Sequence, residues 1–339
     1  MSNVTGTDPS PALFFDTISG FERTEALKGA IDLGLFTAIG EGHNTAMAIA
    51  VKCKATERGV RILCDYLVVK GFLNKSADQY ALTLDSAMFL DSRSPAYLGG
   101  AADFLLAPRM AGAYKDIADA VRKGGTLMRE EGTVAPEHPL WVKYAQAMSP
   151  MIAAPAQRMA DLVDPYPGSQ LKVLDIAAGS GWYGIAFAQR NPKAEIFAVD
   201  WPQVLEVAAE NARIAGIEDR YHRIPGSAFE VGFGSGYQLA LITNFLHHFD
   251  LDTCESLLKK VREALVDDGR CVTLDLIPNE DRVTPPEAAS FSLAMLVSTP
   301  NGDTYTYLEL DHLLRKAGFS RNELQQLSTG GQRIIISYR

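Results

Sequence analysis

Cysteine is scarce: Cys53, Cys64, Cys254 and Cys271 are the four in 339 residues, far apart and with no C-x-x-C pair. That spacing supports neither a disulfide framework nor a zinc site, and reduced thiols in a cytoplasmic protein are the expectation. Long hydrophobic runs are missing as well. No uninterrupted apolar stretch approaches the roughly 18 residues of a membrane span, and the opening MSNVTGTDPSPALFF lacks the basic flank and apolar core of a secretory signal. Basic charge is in deficit, with 32 Lys and Arg against 41 Asp and Glu, a formal net charge of −9. A general polyanion binder needs the opposite balance. Neither a membrane nor nucleic acid is therefore an expected partner. What is present, 47% hydrophobic and 22% charged residues, is an ordinary globular composition. The length calls for two domains, because single cores usually stop growing near about 250 to 300 residues.

The most informative stretch is Leu171 to Gly184, LKVLDIAAGSGWYG. Val173, Leu174 and Ile176 predict a short buried strand, and the small residues Ala177 to Gly181 let the backbone turn tightly against a ligand. A helix follows and stops before Asn191-Pro192. Gly179, Gly181 and Gly184 spell G-x-G-x-x-G, a dinucleotide fingerprint, with Asp200 at the end of the next strand placed to hold a ribose. Asp175 argues for a different ligand. A carboxylate at the strand end repels pyrophosphate but attracts a ligand bearing an ammonium and a sulfonium, which points to S-adenosylmethionine over NAD. The stretch resembles the first motif of the class I methyltransferases, with Ala177 where a glycine is usual.

Upstream, Ser10-Pro11 predicts a helix start that carries Leu13, Phe14 and Ile18 inward, and Ala26, Leu27, Ala30 and Ile31 mark a second helix ending near Gly34. Helices at 46–52 and 56–70 and a hairpin in GFLNKSADQYALT give a winged-helix pattern. Its presumed recognition helix mixes Arg58 and Arg61 with Glu57 and Asp65, a poor DNA-reading surface. The order of modules resembles the plant-type, acetylserotonin-like small-molecule O-methyltransferases and their bacterial relatives, which place such a module first and use it to dimerise. That resemblance implies a mostly α winged-helix dimerisation domain over 1–95, a helical connector over 96–165, and an S-adenosylmethionine-binding catalytic domain over 166–339, hence a homodimer. Connector helices are expected at 97–106, 111–122 and 140–163, with 123–136 an exposed loop. Trp141, Tyr144, Met148 and Met151 share one helical stripe; the family lines its acceptor pocket from this connector.

From residue 166 strand and helix alternate as a doubly wound, Rossmann-like α/β sheet requires, with strands at 195–200, 221–225, 237–244 and 270–276. Asp252 with Glu255, and Thr284-Pro285-Pro286-Glu287, read as capping boxes. The chain closes with an antiparallel hairpin, 323–327 and 332–338, which suits a methyltransferase sheet.

In open parallel sheets the ligand lies at the carboxyl ends of the strands. The donor-site candidates are therefore Asp175, Ala177, Gly179 and Gly181; Asp200 and Trp201; Ser227, Ala228 and Phe229; and Thr243 with Asn244. Ser227 stands where the resembled family has an acid. Asn244-Phe-Leu-His247-His248-Phe-Asp250 resembles the family's Trp-Ile-Leu-His-Asp-Trp stretch, which makes His247 the implied general base. Asp275 matches one of two glutamates that orient it, and Thr304 or a neighbour falls where the second would be. His248, Phe291 and Met295 join Trp141, Tyr144 and Met148 as acceptor-pocket candidates. The expected activity is methyl transfer from S-adenosylmethionine to a small, hydroxylated aromatic or natural-product acceptor. Carbon or nitrogen methylation, an NAD-dependent oxidoreductase, and a ligand-sensing regulator remain as alternatives.

Overall fold

A stop-and-start pattern of short amphipathic segments builds the N-terminal unit, and a long alternation of apolar strands and helices builds the second. The computed structural model describes residues 9–129, 131–163, 168–327 and 331–339, and the chain divides into compact units Met1–Asp103 and Phe104–Arg339. Helices α1 (Ala12–Ile18), α2 (Gly20–Asp32), α3 (Leu35–Gly40), α4 (Ala46–Lys52) and α5 (Glu57–Val69) precede a hairpin of β1 (Leu73–Ser76) and β2 (Gln79–Leu82), then α6 (Leu84–Phe89). Thr45, Thr56 and Thr83 cap α4, α5 and α6 through their hydroxyls. Leu35, Phe36, Ile49, Val60, Leu67 and Tyr80 form the core. The outer helix departs from expectation. Leu13, Phe14 and Ile18 are 79%, 62% and 58% exposed, because α1 has no buried residue and no layer of its own unit to face.

Helices α7 (Gly99–Leu105), α8 (Pro108–Ala113), α9 (Ile117–Lys123) and α10 (Leu140–Val163) follow. The helix expected over 111–122 is thus two, broken at Tyr114. The loop after α9 is exposed only in part: Leu127, Arg129 and Glu131 face solvent, but its threonines do not. Thr126 and Thr133 are buried, their hydroxyls donating to the carbonyls of Val297 at 2.7 Å and Ser298 at 3.1 Å. Its glycines suggested exposure, but the loop's polar groups find partners in the last turn of a helix far along the chain.

The sheet contains β3 (Leu171–Ile176), β4 (Ala194–Asp200), β5 (Tyr221–Pro225), β6 (Tyr237–Thr243), β7 (Leu265–Leu276), β8 (Arg321–Gln326) and β9 (Gln332–Tyr338). Their order is β5-β4-β3-β6-β7-β9-β8. The first five run parallel, and β9 joins β7 and β8 antiparallel. Part of the turn between β8 and β9, residues 328–330, lies outside the described residues. One face of the sheet packs on α10, α11 (Trp182–Arg190) and α12 (Pro202–Ile214) through residues such as Met159, Phe187 and Leu205. The other packs on α13 (Leu251–Ala264) and α15 (Tyr307–Lys316) through Leu257, Val261 and Leu314. Two caps differ from expectation. Asp250, not Asp252, caps α13 by accepting from Thr253 N–H at 2.8 Å, while Glu255 pairs with Lys259 and Lys316. Helix α14 (Pro286–Ser298) has no side-chain cap; Thr284 bonds to Asp281 instead. The capping box forms at α15, between Thr306 and Glu309. Because β4 and β5 lie on one side of β3 and β6 on the other, the chain reverses direction beside β3, and a crevice opens at the carboxyl ends there.

Candidate active site

The turn after β3 needs three residues with left-handed backbone, Ala177 (φ 54°), Gly179 (φ 56°) and Gly181 (φ 79°). Ala177 carries the steric cost that a glycine would avoid. The turn is held from β4: Gly179 N–H donates to Asp200 Oδ2 at 2.8 Å, and Trp201 N–H donates to Asp200 Oδ1 at 2.7 Å. Burial raises the Asp200 carboxyl to about 6, against the pull of these two bonds. Asp175 stands one layer behind. It is fully buried, and its Oδ2 accepts Gly184 N–H at 3.1 Å. Gly184 permits that approach, since a Cβ there would lie 2.8 Å from the carboxylate oxygen. Burial drives Asp175 up to about 7, and its Oδ1 has no partner.

A cavity of about 1270 Å³ opens over this turn. Ala177, Gly179, Asp200 and Trp201 line one end, with Ser227, Ala228 and Phe229 beside them and Thr243 and Asn244 at the tip of β6. Asp175 and Gly181 do not line it. Asp175 stands behind the cavity wall and ties the turn to the first turn of α11, because the strand directs its side chain into the sheet–helix interface. Gly181 is the N-cap of α11.

The opposite end is built by α10 and α14. Trp141, Tyr144 and Met148 from the first, and Phe291 and Met295 from the second, line it together with His247 and His248. Their contacts form a chain: Phe104 meets Tyr144 edge-on at 5.4 Å, Trp141 meets His248 at 5.2 Å, and Phe291 meets His247 at 5.1 Å between ring centroids. Trp141 is anchored by its indole N–H on the Thr133 carbonyl at 3.0 Å, so the buried loop sets this wall. Burial pushes the Tyr144 phenol up to about 12.

His247 sits in the short turn Leu246–His248 after β6 and is buried. Its Nδ1 lies 2.6 Å from Asp275 Oδ1, which also accepts Leu276 N–H at 2.8 Å. Asp275 is outside the cavity, behind the ring. With Nδ1 donating to the carboxylate, Nε2 is left as the basic nitrogen. Burial and the neighbouring His247 hold His248 well below the usual histidine range. Thr304 pairs with Ser292, their hydroxyl oxygens 2.5 Å apart. It is Gly302 of that loop that reaches His247, packing on its backbone carbonyl, where a Cβ would come within 2.3 Å. Sequence reasoning missed Ser180, Tyr183, Phe245 and Phe249 on the cavity wall. The two phenylalanines flank the histidine pair and were legible as its neighbours. Tyr183, whose side chain bonds Asn244, had no signal of its own.

Residues 114–320 match the profile of the O-methyltransferase domain, and residues 15–92 match the O-methyltransferase dimerisation domain. The chain belongs to the O-methyltransferase family. As a member of it, this enzyme is an S-adenosylmethionine-dependent methyltransferase. It is 26% identical to 3-hydroxy-5-methyl-1-naphthoate 3-O-methyltransferase of Streptomyces sahachiroi, over 98% of this chain and 97% of that protein. A crystal structure from Nostoc punctiforme PCC 73102, described as a candidate O-methyltransferase, is 53% identical over 98% of this chain and 100% of that one, with a TM-score of 0.94. Human N-acetylserotonin methyltransferase, solved with S-adenosylmethionine, shares the fold at 21% identity and a TM-score of 0.84, over 99% of each chain.

The residues at the β3 end of this O-methyltransferase suit the donor. Asp200 retains acceptor capacity for ribose hydroxyls beyond its two backbone bonds. Gly179 leaves open space where a side chain would stand, and Trp201, Ala228 and Phe229 offer apolar faces for adenine. Among the described residues no helix is long and apolar enough to cross a membrane.

Proposed function

We propose that this O-methyltransferase methylates a hydroxyl of a small aromatic acceptor, with His247 as general base and Asp275 as its positioning residue. The observation that carries this reading is His247 on the wall of an aromatic cavity with its Nδ1 2.6 Å from Asp275 Oδ1. When bound, S-adenosylmethionine supplies an electrophilic methyl group on a sulfonium. Asp200, the Gly179 turn, Trp201 and Phe229 hold that donor. Trp141, Tyr144, Met148, Phe291 and Met295 sandwich the acceptor ring and exclude water. Nε2 of His247 then takes the acceptor's hydroxyl proton, and Asp275 keeps the imidazole in the tautomer that leaves Nε2 free. Favouring oxygen over carbon or nitrogen is a histidine–carboxylate pair beside the acceptor end, together with the hydroxynaphthoate named for the 3-O-methyltransferase of Streptomyces sahachiroi. Calorimetry with S-adenosylhomocysteine, S-adenosylmethionine and NAD tests the donor site. Both adenosyl compounds are expected to bind in the micromolar range or tighter and NAD not at all; NAD binding with no response to the others would sink the assignment.

We further propose a homodimer formed through the N-terminal unit. Helix α1 and the start of α2 expose Leu13, Phe14, Phe15, Ile18 and Phe21. Burying each is worth about 1.5–3 kcal/mol before association costs, enough to make a second copy the natural cover. Light scattering on the full chain should return a dimer, and Phe14→Glu with Phe21→Glu should return a monomer. A monomeric wild type refutes the proposal. The four free thiols suit a reducing, cytoplasmic setting.

A further inference from the structure

Two imidazoles stand side by side on the cavity wall, His247 and His248, with ring centroids 4.3 Å apart. Their free nitrogens have opposite sense. His247 donates from Nδ1 to Asp275, which leaves its Nε2 as an acceptor. His248 keeps Nδ1 buried with no partner among the described residues, and an orphaned buried N–H is rarer than an unused lone pair. The proton of the neutral ring is therefore assigned to Nε2, where the charged ring carries one as well. His248 thus offers the cavity a donor. Burial and the neighbouring His247 hold it well below the usual histidine range, which makes it the poorer proton acceptor of the two. Gly302 packs on both residues, since a Cβ there would come within 2.3 Å of the His247 carbonyl oxygen and 2.9 Å of the His248 carbonyl carbon. His248 N–H also donates to the Phe245 carbonyl at 3.2 Å, and its ring meets Trp141 edge-on, centroids 5.2 Å apart. Acceptor and donor are held as a pair before any ligand arrives.

Resting on the O-methyltransferase reading above, we propose that His248 selects the acceptor by donating from Nε2 to a carbonyl or quinone oxygen that lies ortho or peri to the hydroxyl taken by His247. The substrate class is then the hydroxylated aromatic ketones and quinones whose two oxygens are neighbours. In such a molecule the oxygens sit about 2.5–2.7 Å apart, tied by an internal hydrogen bond. That bond holds the proton the base must take. The histidine pair releases it: the carbonyl exchanges its internal donor for His248 Nε2–H, and the hydroxyl exchanges its internal acceptor for His247 Nε2. No hydrogen bond is lost on entering the cavity. An isomer with its carbonyl elsewhere on the ring satisfies His247 alone, and it covers the His248 donor without pairing it. Leaving a desolvated donor unpaired costs about 5 to 100-fold in affinity.

The test is competition binding to full-length enzyme loaded with S-adenosylhomocysteine, read by mass spectrometry of the retained fraction. The probes are pairs of positional isomers, acetylnaphthols and hydroxyanthraquinones, with the hydroxyl either beside the carbonyl or one ring position further away. Wild type should retain the adjacent isomer about 5 to 100-fold better. His248→Phe keeps a ring against Trp141 but has no N–H, and it should bring the isomers within about twofold. His248→Gln removes the ring but restores an N–H donor, and it should recover a preference of at least about threefold. Packing alone would give the reverse order for the two variants, and that result overturns the proposal. So does equal or better retention of the distant isomer by wild type, or a failure of every pair to bind while S-adenosylhomocysteine is retained. Loss of S-adenosylhomocysteine from wild type counts against the donor site, and the acceptor proposal falls with it. If a variant loses the donor, the wild-type ratio decides. The general-base reading fails separately, on the turnover of His247→Ala, because these ratios are read without turnover.

Discussion

His247→Ala is expected to lower turnover by about 10² to 10⁴-fold while leaving S-adenosylhomocysteine affinity within about twofold, the signature of a lost proton acceptor. The separation follows from geometry. His247 is paired with Asp275 and is not among the groups that hold the donor, which are the Gly179 turn, Asp200, Trp201 and Phe229. His248→Ala should cost far less, because burial and the neighbouring His247 hold that ring well below the usual histidine range, which makes it a weak proton acceptor, and it lacks a carboxylate partner. Asp275→Asn should fall between them, since the amide can still reach Nδ1 but no longer balances the charge of a protonated ring. A pH series with an identified acceptor checks the assignment. The His247→Ala deficit should shrink at high pH, where the phenol ionises unaided. Full activity of His247→Ala near neutrality would rule it out as the base.

The second large effect is on the donor. Asp200→Ala should weaken S-adenosylhomocysteine by about 10² to 10³-fold and lower the melting temperature of the free enzyme. Two losses combine. Hydrogen bonds to a charged acceptor are worth about 1.5–3 kcal/mol each, and a buried donor left without a partner costs about 1–3 kcal/mol. Here the Gly179 and Trp201 N–H groups would both be orphaned. Asp200→Asn keeps one carbonyl acceptor and should recover part of both losses. Calorimetry and thermal unfolding on the same samples provide the check. Affinity within threefold of wild type in Asp200→Ala would mean that the carboxylate does not serve the donor.

Much of the catalytic unit was legible because its signals are local. The apolar run before Ala177, the small-residue turn, the alternation of strand and helix, and the closing hairpin each have a period or a composition of their own, and neighbouring residues suffice to read them. His247 was singled out by the strand end it follows and by a family resemblance, and it lies on the cavity wall. Errors arose where a segment's partner lay far along the chain. The glycines of 123–136 look like an exposed loop until Thr126 and Thr133 are seen bonded to the end of α14. Helix α1 reads as inward-facing because an amphipathic pattern says that a face will be covered, not by which molecule.

Sequence alone determined the fold class and the small-residue turn after the first strand of the sheet, since backbone geometry, hydrophobic period and strand ends are properties of contiguous residues. Tertiary structure decided the rest. It set Asp175 behind the turn, accepting from Gly184 N–H, and brought Asp275 onto His247 across 28 residues of chain. The physical reason is that a side chain's direction, burial and counter-charges are fixed by what packs against it, and in this fold those neighbours come from strands and helices distant in sequence.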